Sequence, residues 1–314
     1  MAKDLRSSKV AVVLAFYNGN KHIDEQLESI FSQTYKNIKI FIFDDNSKYG
    51  LKRSIVNLNK NSNPEITIIK RKTNIGYAKN FLYGIRDIEK DFDFYAFCDQ
   101  DDIWEKNKIE IALENLDRDE TNKAKLFFSR TAYYNLDCSR EIGTSKVPNK
   151  PPIFRNALVQ NIAGGNTIVL NKKARDILSN SLISDEYTAH DWWSYQVISG
   201  ANGEIIFSEK KTVKYRQHQN NIVGLNSSLK EKWKRLFYFF SGEYKKWCDI
   251  NIKNLYLNKN VLSINNIKTL NYFSRARESK NIFEKIINFK RSGVYRQSYL
   301  ENIILIIGLL LNKV

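Results

Sequence analysis

The sequence predicts an α/β fold: a mostly parallel central sheet flanked by helices, followed by a helical C-terminal extension. Three observations lead there. Strand-like apolar runs alternate with amphipathic helical runs through the first hundred residues. The first of these strand runs is apolar throughout, as in a strand buried on both faces. Beyond residue 224 the strand signals fade, and Lys, Arg and aromatic residues interleave at helical spacing.

Residues 9–17 (KVAVVLAFY) form the first expected strand, and Ile23, Leu27, Ile30 and Phe31 then recur at helical spacing. Residues 38–43 (IKIFIF) form the second strand and run into Asp44-Asp45-Asn46-Ser47. A short helix over 51–58, a strand over 66–69, a helix over 77–88 and a strand over 92–97 complete a βαβαβαβ order. That order favours a parallel sheet with right-handed crossovers. A helix over 106–116, a strand over 126–134 and a long polar loop over 143–152 follow. Short strands are expected over 168–170 and 205–207, with a helix over 190–198 between them. Helices over 229–240 and 281–289 lie past a boundary placed near residue 225, which divides the chain into regions 1–225 and 226–314.

With 42% apolar and 27% charged residues over 314 positions, the chain can bury a sizeable core, which excludes disorder and collagen-like repetition. Cys98, Cys138 and Cys248 are too few and too scattered for a disulfide framework or a Cys-rich zinc site, so a reducing, cytoplasmic setting is expected. The formal charge of +16 points to an anionic partner: nucleic acid, membrane surface or phosphorylated small molecule. It is uneven. Residues 225–314 hold 17 basic and 6 acidic side chains, a net of +11, against +5 for the first 224. No secretory signal is read at the start, and the longest apolar run, 303–311, falls well short of the roughly 20 residues of a membrane span.

Polar residues collect at the expected carboxyl ends of the strands, where open parallel sheets bind ligands. These are Tyr17-Asn18 after the first strand, Asp44-Asp45 after the second, and Asp99-Gln100-Asp101-Asp102 after the fourth. Turn and cap preferences explain any one of them. Three strand ends together, with three acids in four residues after the fourth, ask for more. Crowded carboxylates repel unless a cation or shared proton relieves them. Mg²⁺ or Mn²⁺, held by one or two carboxylates and by substrate phosphates, would do so. No GxGxxG follows the first strand and no GxxxxGK[ST] occurs, which weighs against a dinucleotide fold and a P-loop.

Six motifs in this order carry a family resemblance: VVLAFYN (12–18), FDDNS (43–47), NIGYAKN (74–80), CDQDDIWEKNKI (98–109), HDWW (190–193) and YRQHQNNIVG (215–224). They resemble the inverting glycosyltransferases of family 2, with the GT-A nucleotide-diphospho-sugar transferase fold. The variants DQDDIW, HDWW and YRQH resemble the bacterial branch that includes rhamnosyltransferase-like enzymes of cell-surface polysaccharide assembly. The resemblance covers roughly residues 9–224 and divides them into a donor half, about 1–104, and an acceptor half, about 105–225.

The resemblance implies donor contacts from Phe16, Tyr17, Asn18, Asp45, Asn74, Lys79, Asp99 and Gln100. Tyr17 and Asp45 would line the base, with Asp45 accepting from a pyrimidine N–H, and Lys79 would face the base or diphosphate. Asp99 and Asp101 would form the metal-binding pair for Mn²⁺ or Mg²⁺, with Asp101 the better direct ligand. His218 is read equally as a third metal ligand or as a surface loop residue. Asp191 matches the family's general base, against the alternative of a helix N-cap. Trp104, Gly165, Asn166, His190 and Trp192 are expected on the acceptor side, although Trp192 and Trp193 could be core anchors and the adjacent glycines a plain turn. Lys106 stands where many relatives have proline, and the missing QxxRW element speaks against a processive synthase.

The expected partners are a nucleotide-sugar donor, dTDP-rhamnose or a UDP-hexose, and a glycan or lipid-linked acceptor. A further expected partner is an anionic membrane surface, met through residues 228–247 (SLKEKWKRLFYFFSGEYKKW) and the apolar tail 303–311, from the cytoplasmic side. The alternatives for that region are packing on the catalytic domain and self-association. Nucleic acid is not expected, because it has no need of the acid cluster. Two other functions compete: sugar nucleotidyl transfer, whose Gly- and Arg-rich loop is replaced here by AFYNGNKH, and polyanion binding by an inactive domain.

Overall fold

The computed structural model describes residues 7–52, 64–117, 122–182, 184–217, 236–237 and 239–314. Its first half is parallel, as expected. Strands β1 (Val10–Phe16), β2 (Ile38–Asp44), β3 (Glu65–Lys70) and β4 (Phe94–Cys98) lie in the order β3-β2-β1-β4. Side chains alternate across the sheet. Val10, Val12, Leu14 and Phe16 enter one core, while Ala11 and Val13 enter the other. Both faces of β1 are therefore dry, and its sequence shows no polar alternation. Helix α1 (Ile23–Phe31) covers the first face with Ile23, Leu27 and Ile30. Helix α2 (Tyr77–Asp87) covers the second with Phe81, Leu82 and Ile85. It lies so close that a Cβ on Gly84 would stand 2.9 Å from the Phe43 ring.

The second half is mixed. Strand β5 (Ile103–Trp104) leads into helix α3 (Lys108–Asp117), and strands β6 (Lys125–Tyr134), β7 (Glu141–Thr144), β8 (Val169–Asn171) and β9 (Glu204–Arg216) follow. From β4 the sheet continues as β8-β6-β9-β5, with β7 paired to β6, giving nine strands among the described residues. Strand β8 runs antiparallel to both β4 and β6, while β6 and β9 pair parallel, so β8 interrupts the parallel order. The chain enters β8 from a turn at residues 165–167.

Strand β9 is 13 residues long where only 205–207 were expected. Its continuation, SEKKTVKYR, mixes exposed Lys and Glu with buried Thr212 and Val213 and hides the strand from a hydrophobicity reading. Part of the expected loop over 143–152 pairs as β7. Helices α4 (Phe154–Ala157) and α5 (Lys172–Asn180) were not foreseen, whereas the expected helix over 190–198 is α6 (His190–Gly200). Every residue of α6 from 192 to 200 is buried, which explains a segment that is largely apolar all round. Most of the helix expected over 51–58, much of that over 229–240, and the boundary near 225 lie outside the described residues.

Four C-terminal helices, α7 (Glu243–Leu257), α8 (Ile264–Glu278), α9 (Ile282–Ser292) and α10 (Tyr299–Leu310), pack onto the second core. Leu255, Leu270, Phe273 and Leu305 are fully buried in the same cluster as Phe81 and Trp193. Polar seams join them to the sheet domain: Tyr244 Oη donates to the Val159 carbonyl at 2.7 Å, and Ser263 N–H to that of Gly200 at 2.9 Å. Among the described residues no helix is long and apolar enough to cross a membrane.

Two buried cations close helix ends, where carbonyls lack partners and carry partial negative charge. Lys125 Nζ donates to the Leu116 carbonyl of α3 at 2.8 Å. Arg175, 1% exposed, donates to the carbonyls of Ile85, Arg86 and Ile88 at the end of α2. Arg175→Met would leave these buried acceptors without their donor. It is expected to lower the unfolding free energy by about 3 kcal/mol, read as a shift of the urea midpoint at unchanged slope.

Candidate active site

Register places the site. Phe16 pairs with Asp44 and Leu14 with Cys98, so Tyr17, Asp45 and Asp99 all leave the sheet at the carboxyl edge of parallel strands. Gln100 ties two of these strand ends together. Its Oε1 accepts the Tyr17 N–H at 2.9 Å and its Nε2 donates to the Tyr17 carbonyl at 3.3 Å. Glycine is needed beside it, because a Cβ on Gly19 would fall 2.1 Å from Gln100 Oε1. Asn18 takes a left-handed φ of 51°, donates its N–H to Ser47 Oγ at 2.9 Å, and accepts the Lys48 N–H at 3.0 Å.

Asp45, 2% exposed, accepts the N–H of Ile75 at 2.8 Å on one oxygen and that of Gly76 at 2.9 Å on the other. The carboxylate thereby pins the segment 74–76 over the end of β2. Asn74 Oδ1 shares the Gly76 N–H at 3.2 Å. Lys79, in the first turn of α2, is half-buried and has no ion-pair partner among the described residues, and Tyr17 is 49% exposed. A cavity of about 300 Å³ is lined by Gly76, Lys79, Asp185 and Tyr187. A larger one, about 550 Å³, is lined by His22, Glu25, Asp137 and Arg216.

The acid loop is held from beneath. Asp102, 1% exposed, accepts from Asn166 Nδ2 at 2.7 Å and from the Arg216 N–H at 3.3 Å. The buried Arg216 guanidinium donates to the Asp101 carbonyl at 3.0 Å, the Leu136 carbonyl at 2.5 Å and Glu25 Oε2 at 2.6 Å. Lys108, fully buried, donates to the Asn166 carbonyl at 2.6 Å and lies 4.4 Å over the Trp104 ring. Burial pushes the Asp102 carboxyl well up and draws the Lys108 ammonium down to about 7. Sequence reasoning missed the roles of Lys108 and Arg216, although both stand inside quoted motifs; their burial was the missing signal.

Asp99 is raised to about 7, first by desolvation and then by the charges of Asp101 and Asp191. No hydrogen bond from the described residues is seen at its carboxylate. Among those residues no set of three or more His, Cys, Asp or Glu converges as a complete metal site. Two half-buried carboxylates in crowded, desolvated surroundings nevertheless fit a hard cation that draws the rest of its shell from phosphate oxygens and water. His218 lies outside the described residues.

Asp191 stands in the first turn of α6, whose N-cap is Ala189, so it is not the capping residue. Its Oδ1 accepts the Trp192 N–H at 2.7 Å and its Oδ2 the Gly165 N–H at 3.2 Å. It faces the same space as Asp99, for desolvation and then the charges of Asp191 and Asp99 raise the Tyr77 hydroxyl to about 12. The glycine at 165 is a close-approach residue, since a Cβ there would lie 2.5 Å from His190 Nε2.

Five expected contact residues are instead part of the floor. Phe16, Trp104, Asn166, His190 and Trp192 are between 1% and 6% exposed. His190 stacks on Phe81 at 4.0 Å and meets Phe97 edge-on at 5.0 Å, and desolvation lowers its imidazole to about 4. Trp192 and Trp193 are core anchors, with indole N–H groups donating to the Ala157 carbonyl at 2.7 Å and Ser181 Oγ at 3.2 Å. The large apolar area of these rings is buried against the sheet, which leaves Gly165 to meet the site through its backbone.

Residues 11–164 match the family model described as glycosyl transferase family 2. The chain is 34% identical to the dTDP-rhamnosyl transferase RfbG of Shigella flexneri, over 74% of this chain and 81% of that protein. It is 27% identical to the UDP-Glc:alpha-D-GlcNAc-diphosphoundecaprenol beta-1,3-glucosyltransferase WfgD of Escherichia coli, over 71% and 83%. Among solved structures it resembles S. aureus TarS (residues 1–349) in complex with UDP-GlcNAc, with a TM-score of 0.53 at 16% identity over 91% of this chain and 93% of that one. The shared fold is GT-A-like.

The raised Asp99 carboxyl has a consequence for stability. Between the ordinary carboxylate value of 3.8 and about 7, the folded state keeps a proton that the unfolded state gives up. The contribution of Asp99 to stability therefore falls as pH rises through that window, while His190, lowered to about 4, contributes in the opposite sense. Urea unfolding across pH 4 to 8 should show the wild type losing stability relative to Asp99→Asn as pH rises.

Proposed function

The chain belongs to glycosyltransferase family 2 and is a glycosyltransferase, and from this we propose a metal-dependent, inverting transfer. The donor would be dTDP-rhamnose or a UDP-hexose, and the acceptor a hydroxyl of a glycan or lipid-linked oligosaccharide in surface polysaccharide or glycoconjugate synthesis. The observation that carries the reading is the meeting of two elements at one edge. The acid loop after β4 and the first turn of α6 bring Asp191 close enough for its charge to help raise the Asp99 carboxyl, and both charges reach the Tyr77 hydroxyl.

In this reading the exposed Tyr17 offers its ring to the base, and the buried Asp45 acts by holding the segment 74–76 in place. Lys79, with no described ion-pair partner, stands ready for the diphosphate. Asn18 and Gln100 set the backbone that the donor rests on. Mn²⁺ or Mg²⁺ bound by Asp99 and Asp101, with His218 as a further candidate ligand, would supply Lewis-acid neutralisation of the departing nucleotide diphosphate. Asp191 takes the proton of the acceptor hydroxyl as that oxygen attacks the anomeric carbon opposite the leaving diphosphate, so the configuration inverts. The N–H groups of Gly165 and Trp192 orient the carboxylate for this task.

The names of the relatives support the choice of donors, since one is described as a dTDP-rhamnosyl transferase and the other as using UDP-Glc. The second name also contains a diphosphoundecaprenol-linked sugar, which supports a lipid-linked acceptor. All three cysteines are unpaired, in keeping with a cytoplasmic setting.

Calorimetric titration of UDP and dTDP with and without Mn²⁺ tests the donor site. Binding of one nucleotide should require the metal and disappear in Asp101→Ala; metal-independent binding, or none, refutes the proposal. Asp191→Asn should bind nucleotide as the wild type does, while transfer falls roughly 10²- to 10⁴-fold. Loss of nucleotide binding in that variant would assign Asp191 to the donor rather than to proton transfer.

A further inference from the structure

Half of the large apolar side chains exposed by the described residues lie between positions 282 and 311. Helix α9 is built inside out. Its inward face carries Lys285, Asn288 and Ser292, at 3%, 6% and 0% exposure, with the half-buried Phe289 as its contact to the second core, while Ile282, Phe283, Ile286 and Ile287 stand outward at 59%, 79%, 47% and 50%. The inward lysine is satisfied: its Nζ donates to Asn312 Oδ1 at 2.8 Å and to the Leu309 carbonyl at 3.3 Å, closing the end of α10. Helix α10 buries Leu305 and Leu309 and exposes the opposite stripe, Leu300, Ile303, Ile307 and Leu310. A surface helix ordinarily turns its apolar stripe to the core and its polar face to water.

We propose that the outward stripes of α9 and α10 form a docking surface for an anionic lipid bilayer. Length argues for lying on the bilayer. Helix α10 has 12 residues, against about 20 for a span, so its apolar stripe enters the interface without crossing. Charge selects the partner. Residues 236–314 carry thirteen Lys and Arg against five Asp and Glu, and Lys280, Lys290 and Arg291 are exposed on or beside α9. Lys290 continues the stripe of Phe283, Ile286 and Ile287 at helical spacing, where its stem can lie among acyl chains and its ammonium reach a phosphate. A second copy of the chain would bring the same positive charge against itself, which opposes pairing, whereas anionic headgroups are drawn to it. The inference does not rest on the proposed transfer reaction, because vesicle binding is read without turnover.

Co-sedimentation of the full chain with phosphatidylcholine vesicles, pure or mixed with phosphatidylglycerol, tests it. The wild type should pellet with the mixed vesicles and much less with the pure ones, and salt should weaken the binding. Phe283→Ser/Ile287→Ser and Leu300→Ser/Ile307→Ser should each lower binding about tenfold or more. Because all four positions are exposed, thermal midpoints should stay at the wild-type value. Lys290→Glu/Arg291→Glu, which leaves the apolar stripe intact, should lower binding as well and serves if a serine variant fails to fold. Absence of binding to the mixed vesicles overturns the proposal, as does binding that none of the variants changes. Light scattering that finds a dimer dissociated by the serine substitutions, with vesicles ignored, assigns the surface to self-association instead.

Discussion

Four carboxylates, Asp99, Asp101, Asp102 and Asp191, are brought to one edge of a sheet, and the neighbouring structure is arranged to make that crowding tolerable. Buried or half-buried charges of one sign repel and lose hydration. The compensation comes from several directions. Lys108 places an ammonium beneath the loop, and Asn166 donates to Asp102. Arg216 clamps the loop through main-chain carbonyls and the Glu25 carboxylate. Asp191 has two backbone donors and the positive end of a helix. Asp99 receives no hydrogen bond from the described residues at its carboxylate and only the charge of Lys108 against desolvation and the neighbouring acids, which leaves it with the raised proton affinity that a bound cation would suppress.

The first four strands were legible because the sheet leaves each little choice. A run such as VAVVLAF can bury both faces only in the middle of a covered sheet, and its neighbours carry the same pattern. Strand β9 was largely illegible, since its outward Lys and Glu belong to a half-exposed strand recognised only by its partner β6. Strand β8 was visible as a short apolar run, but its direction depends on where the preceding turn lies in space. The motifs fall together along one edge of the sheet, as their spacing led one to expect. Spacing could not tell which side chains of each motif face outward, and so His190 and Trp192, in the same HDWW segment as Asp191, were expected at the acceptor although both are buried. Lys108 shows the same limit from the other side. A lysine in a polar stretch reads as solvated until the Trp104 ring and the Asn166 carbonyl are seen around it.

In the basic C-terminal region the described helices pack on the sheet domain and leave an apolar surface outside that packing. Helices α7, α8 and α10 contribute side chains to the second core, as a packing role requires. The outward faces of α9 and α10 carry apolar stripes all the same, bordered on α9 by Glu284, Lys290 and Arg291, so packing does not account for that surface. The polar side chains of Lys285, Asn288 and Ser292 face inward and leave the outer stripe unpacked.

The turn at residues 165–167 is the hinge pin between the two halves of the site. One residue of it, Asn166, is gripped by Asp102 from before residue 104 and by Lys108 of α3 from after it, while its neighbour Gly165 holds Asp191 of α6. Chimaeras that join the front of one relative to the back of another at residue 104 would cut through this grip. Such hybrids need matched residues at 102, 108, 165, 166 and 216 if the two halves are to meet in register. The modular exchange of sugar and acceptor preferences therefore has a fixed unit of inheritance, and it is a set of buried positions scattered along the chain.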